Sequence, residues 1–407
     1  MTRIFFATTF AGILAASLLS GLREASAQQQ PSGAADAPQT QSPAAKPAEK
    51  PLTREEVTGI LRENRKIVSE HGIEESITVE IGGIKQAISI RGRDTRNPIL
   101  LLVHGGPASP EMPHAFTFQS PWEDYFTVVE WDQRGAGKTY AANDPAAVGD
   151  TLTVTRMAAD TVELTNYLRT RFHKQKIFLM GHSWGSILGA TVAHEHPELL
   201  YAYIGVGQIV NDQRSEELGY KATVAAAQAD HNEQALHDLA TLAPYPGDKV
   251  TFEQIGLERK WLQYYGGLAW RRQGFDWVSS TWELSPDYSD AELDAIGKGS
   301  MLTLTRLLPQ LLAVNFDNVT DFHCPIYLFT GRHDLSVSHE LAAEWYEKLH
   351  APEKKLIWFE NSAHLPMLEE PGRFLMHLVI DVRPIAVRAG DAAPEDEVLS
   401  GKSRRTP

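Results

Sequence analysis

A chain of 407 residues, 43% hydrophobic and 22% charged, is long enough for one large folded domain carrying an insertion, or for two domains. Its formal net charge of −14 argues against nucleic acid or an anionic membrane as partner, because the long-range field would repel both. Cys324 is the single cysteine, so no intrachain disulfide is available and stability must come from the core. Its place just before an apolar run suits buried filler.

Met1 to Ala27 reads as a secretory leader, with Arg3 at the charged end, a mostly apolar Ile4 to Leu19, and Ala25-Ser26-Ala27 as the small-residue cleavage pattern. An uncleaved N-terminal anchor is the alternative. The implied location is outside the cytoplasm, periplasmic or secreted, with no other membrane contact. Gln28 to Pro51, rich in Gln, Pro, Ala, Ser and Lys, cannot bury enough surface to offset its ordering entropy and reads as a disordered tether. Order begins with Thr53-Arg54-Glu55-Glu56, a capping box, with Leu52 placed to staple onto Val57. Val57, Ile60, Leu61, Ile67 and Val68 then follow helical spacing as far as Gly72.

The period next changes to two. Ile77 to Ile81 and Ala87 to Ile90 alternate like half-buried strands joined through Gly82-Gly83. Continuous apolar runs follow at 99–103, 126–131, 177–180, 201–206, 326–330 and 356–359, separated by helical patterns at 154–172, 186–196, 339–349 and 372–380. Unalternating runs suit parallel strands covered on both faces, with ligands expected at their carboxyl ends. Between 206 and 326 no convincing strand is legible, and helical patterns occupy 216–228, 232–242, 252–265 and 290–312. A plain connection would be far shorter, so 207–320 is predicted to be an inserted helical cap. It divides an α/β core into 52–206 and 321–388, followed by a disordered tail at 389–407.

The chemistry centres on Gly181-His182-Ser183-Trp184-Gly185, a G-x-S-x-G pentapeptide between a predicted strand and a predicted helix. A serine hydroxyl is a weak nucleophile unless a sharp turn exposes it beside a base. Asp334 follows the strand 326–330 and His364 follows the strand 356–359, completing the order serine, acid, histidine. His364 can take the serine proton while Asp334 orients the ring. The oxyanion needs preorganised N–H donors; the Trp184 amide supplies one, and the Gly106 amide of His104-Gly105-Gly106-Pro107 is favoured for the other. The alternative for that glycine pair is a tight turn alone. His194-Glu195-His196 lacks the spacing that places two histidines on one helix face, so no metal site is expected. No dinucleotide or phosphate-loop pattern follows the first parallel strand, so no cofactor is expected either.

Three segments, His104-Gly105-Gly106-Pro107, Trp131-Asp132-Gln133-Arg134-Gly135-Ala136-Gly137-Lys138 and Gly181-His182-Ser183-Trp184-Gly185-Ser186, resemble the signatures of the prolyl aminopeptidase (proline iminopeptidase) family. The resemblance covers roughly 77–206 and 322–382 and implies an α/β-hydrolase fold, a mostly parallel sheet covered by helices with an inserted helical cap. By analogy, Asp132 and Arg134 tie loops together. One departure is Ala108, where the family usually has glycine after Pro107.

The cap resembles the family only weakly. Family members hold the substrate's free amino terminus with cap carboxylates, and Glu283, beside Trp282, is the first candidate, followed by Glu258, Glu216 and Glu217. The cap's aromatic residues, Trp261 to Trp282, are read mostly as packing, with one or two lining a pocket. The expected function is a cofactor-independent serine hydrolase working through an acyl-enzyme, cleaving small peptides or amino-acid amides as an aminopeptidase. An esterase, lactonase or amidase on a small apolar compound is the alternative, and a non-catalytic ligand-binding protein on the same scaffold is a remote one. Oligomeric state is not legible. Sequencing the amino terminus of protein recovered from the extracytoplasmic fraction should start near Gln28, whereas an intact Met1 on membrane-bound protein supports the anchor.

Overall fold

The computed structural model describes residues 50–247 and 249–394. The predicted leader, most of the tether and the end of the tail lie outside the described residues. The capping box forms as expected: Glu56 N donates to Thr53 Oγ1 at 3.2 Å and Thr53 N donates to Glu56 Oε2 at 2.7 Å. Helix α1 (Arg54–Asn64) nevertheless stops well before Gly72. Its apolar stripe does not drive its packing, since Ile60 is 52% exposed, and Val68, beyond its end, is 81% exposed. Polar contacts hold it instead. Arg54 donates to the carbonyls of Glu283 and Tyr288 at 2.7 and 2.8 Å, Arg62 to that of Pro286 at 3.0 Å, and Arg65 pairs with Asp287 at 2.9 Å.

Strands β1 (Ile73–Ile81) and β2 (Ile84–Gly92) form the expected hairpin, with Ile81 paired to Ile84. Gly82 and Gly83 take φ of +56° and +74°, the left-handed pair that a two-residue hairpin turn requires. The sheet continues with β3 (Ile99–Val103), β4 (Thr127–Asp132), β5 (Ile177–His182), β6 (Leu200–Val206), β7 (Ile326–Gly331) and β8 (Lys354–Phe359). The order is β1-β2-β4-β3-β5-β6-β7-β8; β2 pairs antiparallel with β1 and β4, and every other pairing is parallel.

The continuous apolar runs divide by parity between two cores. Ile99, Leu101, Val103, Ile177, Leu179, Ile326 and Leu328 enter one; Leu100, Leu102, Phe178, Met180, Tyr327 and Phe329 enter the other. Helices cover both faces, among them α2 (Val154–Arg171) and α3 (Trp184–Glu195), which follows β5 directly. Cys324 is buried against α3, and burial pushes its thiol up to about 12.

Between β6 and β7 the described regular elements are helical: α4 (Asp212–Ala229), α5 (Glu233–Ala240), α6 (Phe252–Tyr264), α7 (Asp276–Trp282) and α8 (Asp290–Leu311). Helix α7 was not expected, because 7 residues leave little period to read. After β7 come α9 (His339–Lys348) and α10 (Pro371–His377).

Arg134 and Asp132 bind separate partners rather than each other. Arg134 is fully buried, paired with Asp160 at 2.7 Å, and donates to the Gly82 carbonyl at 2.9 Å, pinning the hairpin turn to α2. Asp132 accepts from Lys138 N at 2.7 Å and from the Tyr288 hydroxyl of the helical insertion. Replacing Arg134 with Met should cost about 3–5 kcal/mol, measured by denaturant unfolding, because Asp160 stays buried with its strongest partner removed.

Candidate active site

Ser183 occupies the turn between β5 and α3 with φ +53° and ψ −122°. Its amide donates to the Val206 carbonyl at 2.9 Å, and Ser186 N closes the turn onto the Ser183 carbonyl at 2.8 Å. The flanking glycines permit the turn sterically. A Cβ on Gly185 would lie 1.9 Å from the Val103 carbonyl oxygen, and one on Gly181 would lie 2.4 Å from that of Gly185. The loop after β3 packs on the serine itself, since a Cβ on Gly105 would stand 3.0 Å from Ser183 Cβ.

Asp334 and His364 follow β7 and β8, at the same sheet edge as Ser183. His364 Nδ1 and Asp334 Oδ2 are 2.7 Å apart, both groups are buried, and Asp334 Oδ1 also accepts from Val337 N at 2.9 Å. Gly207, with φ +54°, lies so close to the imidazole that a Cβ there would meet His364 Cε1 at 2.9 Å. Ser183 Oγ and His364 share one cavity, although no hydrogen bond joins them among the described residues; such bonds are often long before substrate binds. Gly106 and Trp184 line the same cavity. The Trp184 amide opens α3, so it has no partner within the helix, while its indole turns into the core and donates to Gln133 Oε1 at 3.0 Å. A hydroxyl, an imidazole and a carboxylate arranged this way beside free amides can perform acyl transfer.

The sequence model of the alpha/beta hydrolase fold matches residues 98–371. The chain belongs to the α/β-hydrolase family. Within it, the chain is similar to the probable aminopeptidase YbaC of Bacillus subtilis, 33% identical over 297 residues that cover 73% of this chain and 92% of that protein. It is also similar to a proline iminopeptidase of Lactobacillus delbrueckii subsp. bulgaricus, 24% identical over 70% of this chain and 90% of the relative. Among solved structures, a proline iminopeptidase-related protein of Thermus thermophilus superposes with a TM-score of 0.53 at 19% identity, covering 77% of this chain and 98% of that one. This likeness concerns the fold alone.

In this α/β-hydrolase the cavity, about 160 Å³, lies between the sheet edge and the helical insertion. Its insertion-side polar residues include Asp212 and Glu216 from α4 and Arg259 and Gln263 from α6. Arg259 pairs with both Glu216 and Glu258, and Tyr245 donates to Glu216 at 2.7 Å. Burial pushes Asp212 up to about 8, helped by the charge of Glu216 and opposed by Arg259. Burial likewise raises Glu258 to about 7 against the pull of Arg259. Of the carboxylates expected to meet substrate, Glu216 alone lines the cavity. Glu258 is fully buried behind Arg259, Glu217 is exposed and pairs with Lys221, and Glu283 is exposed at the end of α7, where Arg54 holds its carbonyl. Trp282 packs beside the site and donates to His114 Nδ1 at 3.1 Å.

Several site residues escaped the sequence reading. His182, inside the pentapeptide, bridges Glu111 at 2.5 Å and the His364 carbonyl at 3.0 Å. Burial opposes its charge, but Glu111 holds the imidazole above its ordinary value, and Glu111 in turn stays below its own. Glu369 accepts from the amides of Ala363 and Leu365, at 2.9 and 3.1 Å, and from that of Trp270 at 2.5 Å. It therefore clamps the segment on both sides of His364 to the insertion. Asp212 had a legible signal, a carboxylate just past the carboxyl end of β6.

Asp212 also sets a pH test. Its folded value lies above its ordinary 3.8, so the stability it contributes is fully present at low pH and is lost as pH rises through about 8. Urea midpoints taken at about pH 5 and about pH 9 should fall more in the wild type than in Asp212→Asn. Equal falls would mean that Asp212 ionises normally.

Proposed function

We propose that the protein is a serine hydrolase with Ser183 as nucleophile, His364 as general base and Asp334 as its orienting acid, and that it acts as an aminopeptidase. With its Nδ1–H donated to Asp334, His364 presents the Nε2 lone pair toward the serine, removes the Oγ proton, and Oγ attacks the substrate carbonyl. The amides of Gly106 and Trp184 stabilise the oxyanion. His364 then hands the proton to the leaving nitrogen, and water, activated by the same base, releases the acyl group. Apart from substrate and water, every group in these steps belongs to this chain. The hydrogen-bonded His182–Glu111 pair holds the His364 backbone in place throughout.

The observation that carries the aminopeptidase reading is the pair Asp212 and Glu216, facing the same cavity as Ser183 and His364, with Arg259 paired to Glu216. A substrate ammonium loses its water on entering such a cavity and must find acceptors there. With Asp212 raised to about 8 and Glu216 offset by Arg259, the empty cavity carries little net charge near neutral pH, and an entering ammonium favours ionisation of Asp212, which then accepts from it. The aminopeptidase names of the Bacillus and Lactobacillus relatives point the same way. The leader pattern adds export to the proposal. A second reading, esterase action on an apolar acyl group, draws on Leu304, Leu308, Leu311 and Leu312, which turn one face of α8 into the cavity wall.

The test is kcat/KM for alanine- and proline-arylamides, their N-acetyl forms and a butyrate ester, on wild type, Asp212→Asn and Glu216→Gln. Free-amine substrates should lose about 2–5 kcal/mol of transition-state binding, chiefly through KM, while acetylated substrates and the ester barely change. Ser183→Ala should abolish turnover of all of them by several orders of magnitude. If the wild type prefers the acetylated substrates or the ester, the aminopeptidase reading fails and the hydrolase reading stands alone.

A further inference from the structure

A second cavity, about 120 Å³, adjoins the first where α7 meets the segment that follows His364. The two share His114, Val278, Met367 and Leu368 as lining. The chemistry of acyl transfer assigns a direction to this junction. The histidine that took the serine proton must deliver it to the leaving atom, so the leaving group lies within reach of His364 Nε2. Leu365, Met367 and Leu368 follow His364 in the chain and continue the wall from that point, the last two into the second cavity. The carboxylates proposed to hold the ammonium come from α4, a different wall. One of the four shared residues is Met367, an unbranched thioether side chain that adapts to its neighbours more readily than a branched one.

We propose that the second cavity is a leaving-group subsite, and that it selects uncharged, apolar leaving groups of aromatic or large aliphatic size. In a peptide this is the residue after the scissile bond. The inference rests on the proposed roles of Ser183 and His364. Its lining contains no fully charged side chain. Phe118, Trp277, Val278, Leu368 and Pro371 supply the apolar wall. The hydroxyls of Thr117 and Thr281 are already spent on backbone carbonyls, those of His114 and Val278, at 2.8 and 2.6 Å. His114 accepts the Trp282 indole proton on Nδ1 and is neutral, with burial holding it down to about 4. Two N–H groups have no acceptor among the described residues: His114 Nε2–H, the donor left when Nδ1 accepts, and Trp277 Nε1–H, which is buried. A charged leaving group would have to shed water here with no opposite charge to replace it.

Two substrate series test this, each with a constant acyl part. One compares Ala-Gly-amide with Ala-Phe-amide, and the other compares methyl butyrate with 2-phenylethyl butyrate. In each, kcat/KM reports the steps up to acyl-enzyme formation, where the leaving group is still bound. The wild type should favour the larger leaving group by about 10-fold or more, as expected for a pocket that buries several methylene equivalents. Thr281→Phe from α7 and Thr117→Phe from the loop after β3, each filling the cavity, should each bring that ratio to within about twofold of unity, with turnover of the small substrates showing that each variant is folded. No preference in the wild type, or a preference that survives both fillings, overturns the subsite. If amides are inert while the esters show a preference that filling removes, the subsite stands and the aminopeptidase reading falls. If amides are cleaved with no such preference, the reverse holds.

Discussion

Ser183 is held in a backbone conformation that an L-residue adopts only at a cost, of order 1–3 kcal/mol. The rest of the site depends on sustaining it. The turn is possible because α3 starts almost in contact with β3: Gly185 stands where any side chain would collide with the Val103 carbonyl, and Gly181 where one would collide with Gly185. The same contact sets the loop after β3 against the serine and leaves the first amide of α3 without a helical partner. One steric constraint thus produces both an exposed hydroxyl and a free N–H beside it. The buried parallel strands on either side make the turn rigid enough to store the strain.

Burial sorts the ionisable groups around this turn into neutral and charged sets. His104 and His114 lose their charge because burial holds each down to about 4. Glu111, within hydrogen-bond distance, holds His182 above its ordinary value against the same burial. The outcome is a His182 held above its ordinary value under the His364 backbone and an uncharged His114 in the cavity wall. Glu369 acts on the same segment from the other side, with three backbone N–H donors, one of them from the helical insertion. Insertion and sheet edge are joined again where Tyr288 meets Asp132 and where His364 N donates to the Leu268 carbonyl at 3.0 Å. The position of the histidine therefore depends on the docking of the insertion.

How much of this was legible in the sequence follows from the range of each interaction. The strand runs, the glycine turn at 82–83, the pentapeptide and the order serine, acid, histidine are local patterns, and the sheet reproduces them nearly residue for residue. Helix α1 was read too long because its apolar period continues past Asn64, whereas its anchoring depends on Arg54, Arg62 and Arg65 meeting carbonyls and a carboxylate more than 200 residues away. The choice of Glu283 failed for a related reason. Its likeness to a family segment was local, but access to the cavity is decided by how α7 and α4 pack, and that packing turns Glu216 and Asp212 inward and leaves Glu283 outside. Glu111 and Glu369 carry no motif at all, and only the assembled loops give them partners.

The most direct test of the account is covalent. A fluorophosphonate probe reacts with a serine only where a base activates it and an oxyanion site receives the phosphoryl oxygen. Peptide mass spectrometry of the treated protein should find the adduct on Ser183, formed rapidly in the wild type and nearly absent in His364→Ala. Labelling on another residue, or undiminished labelling of Ser183 without His364, would contradict it.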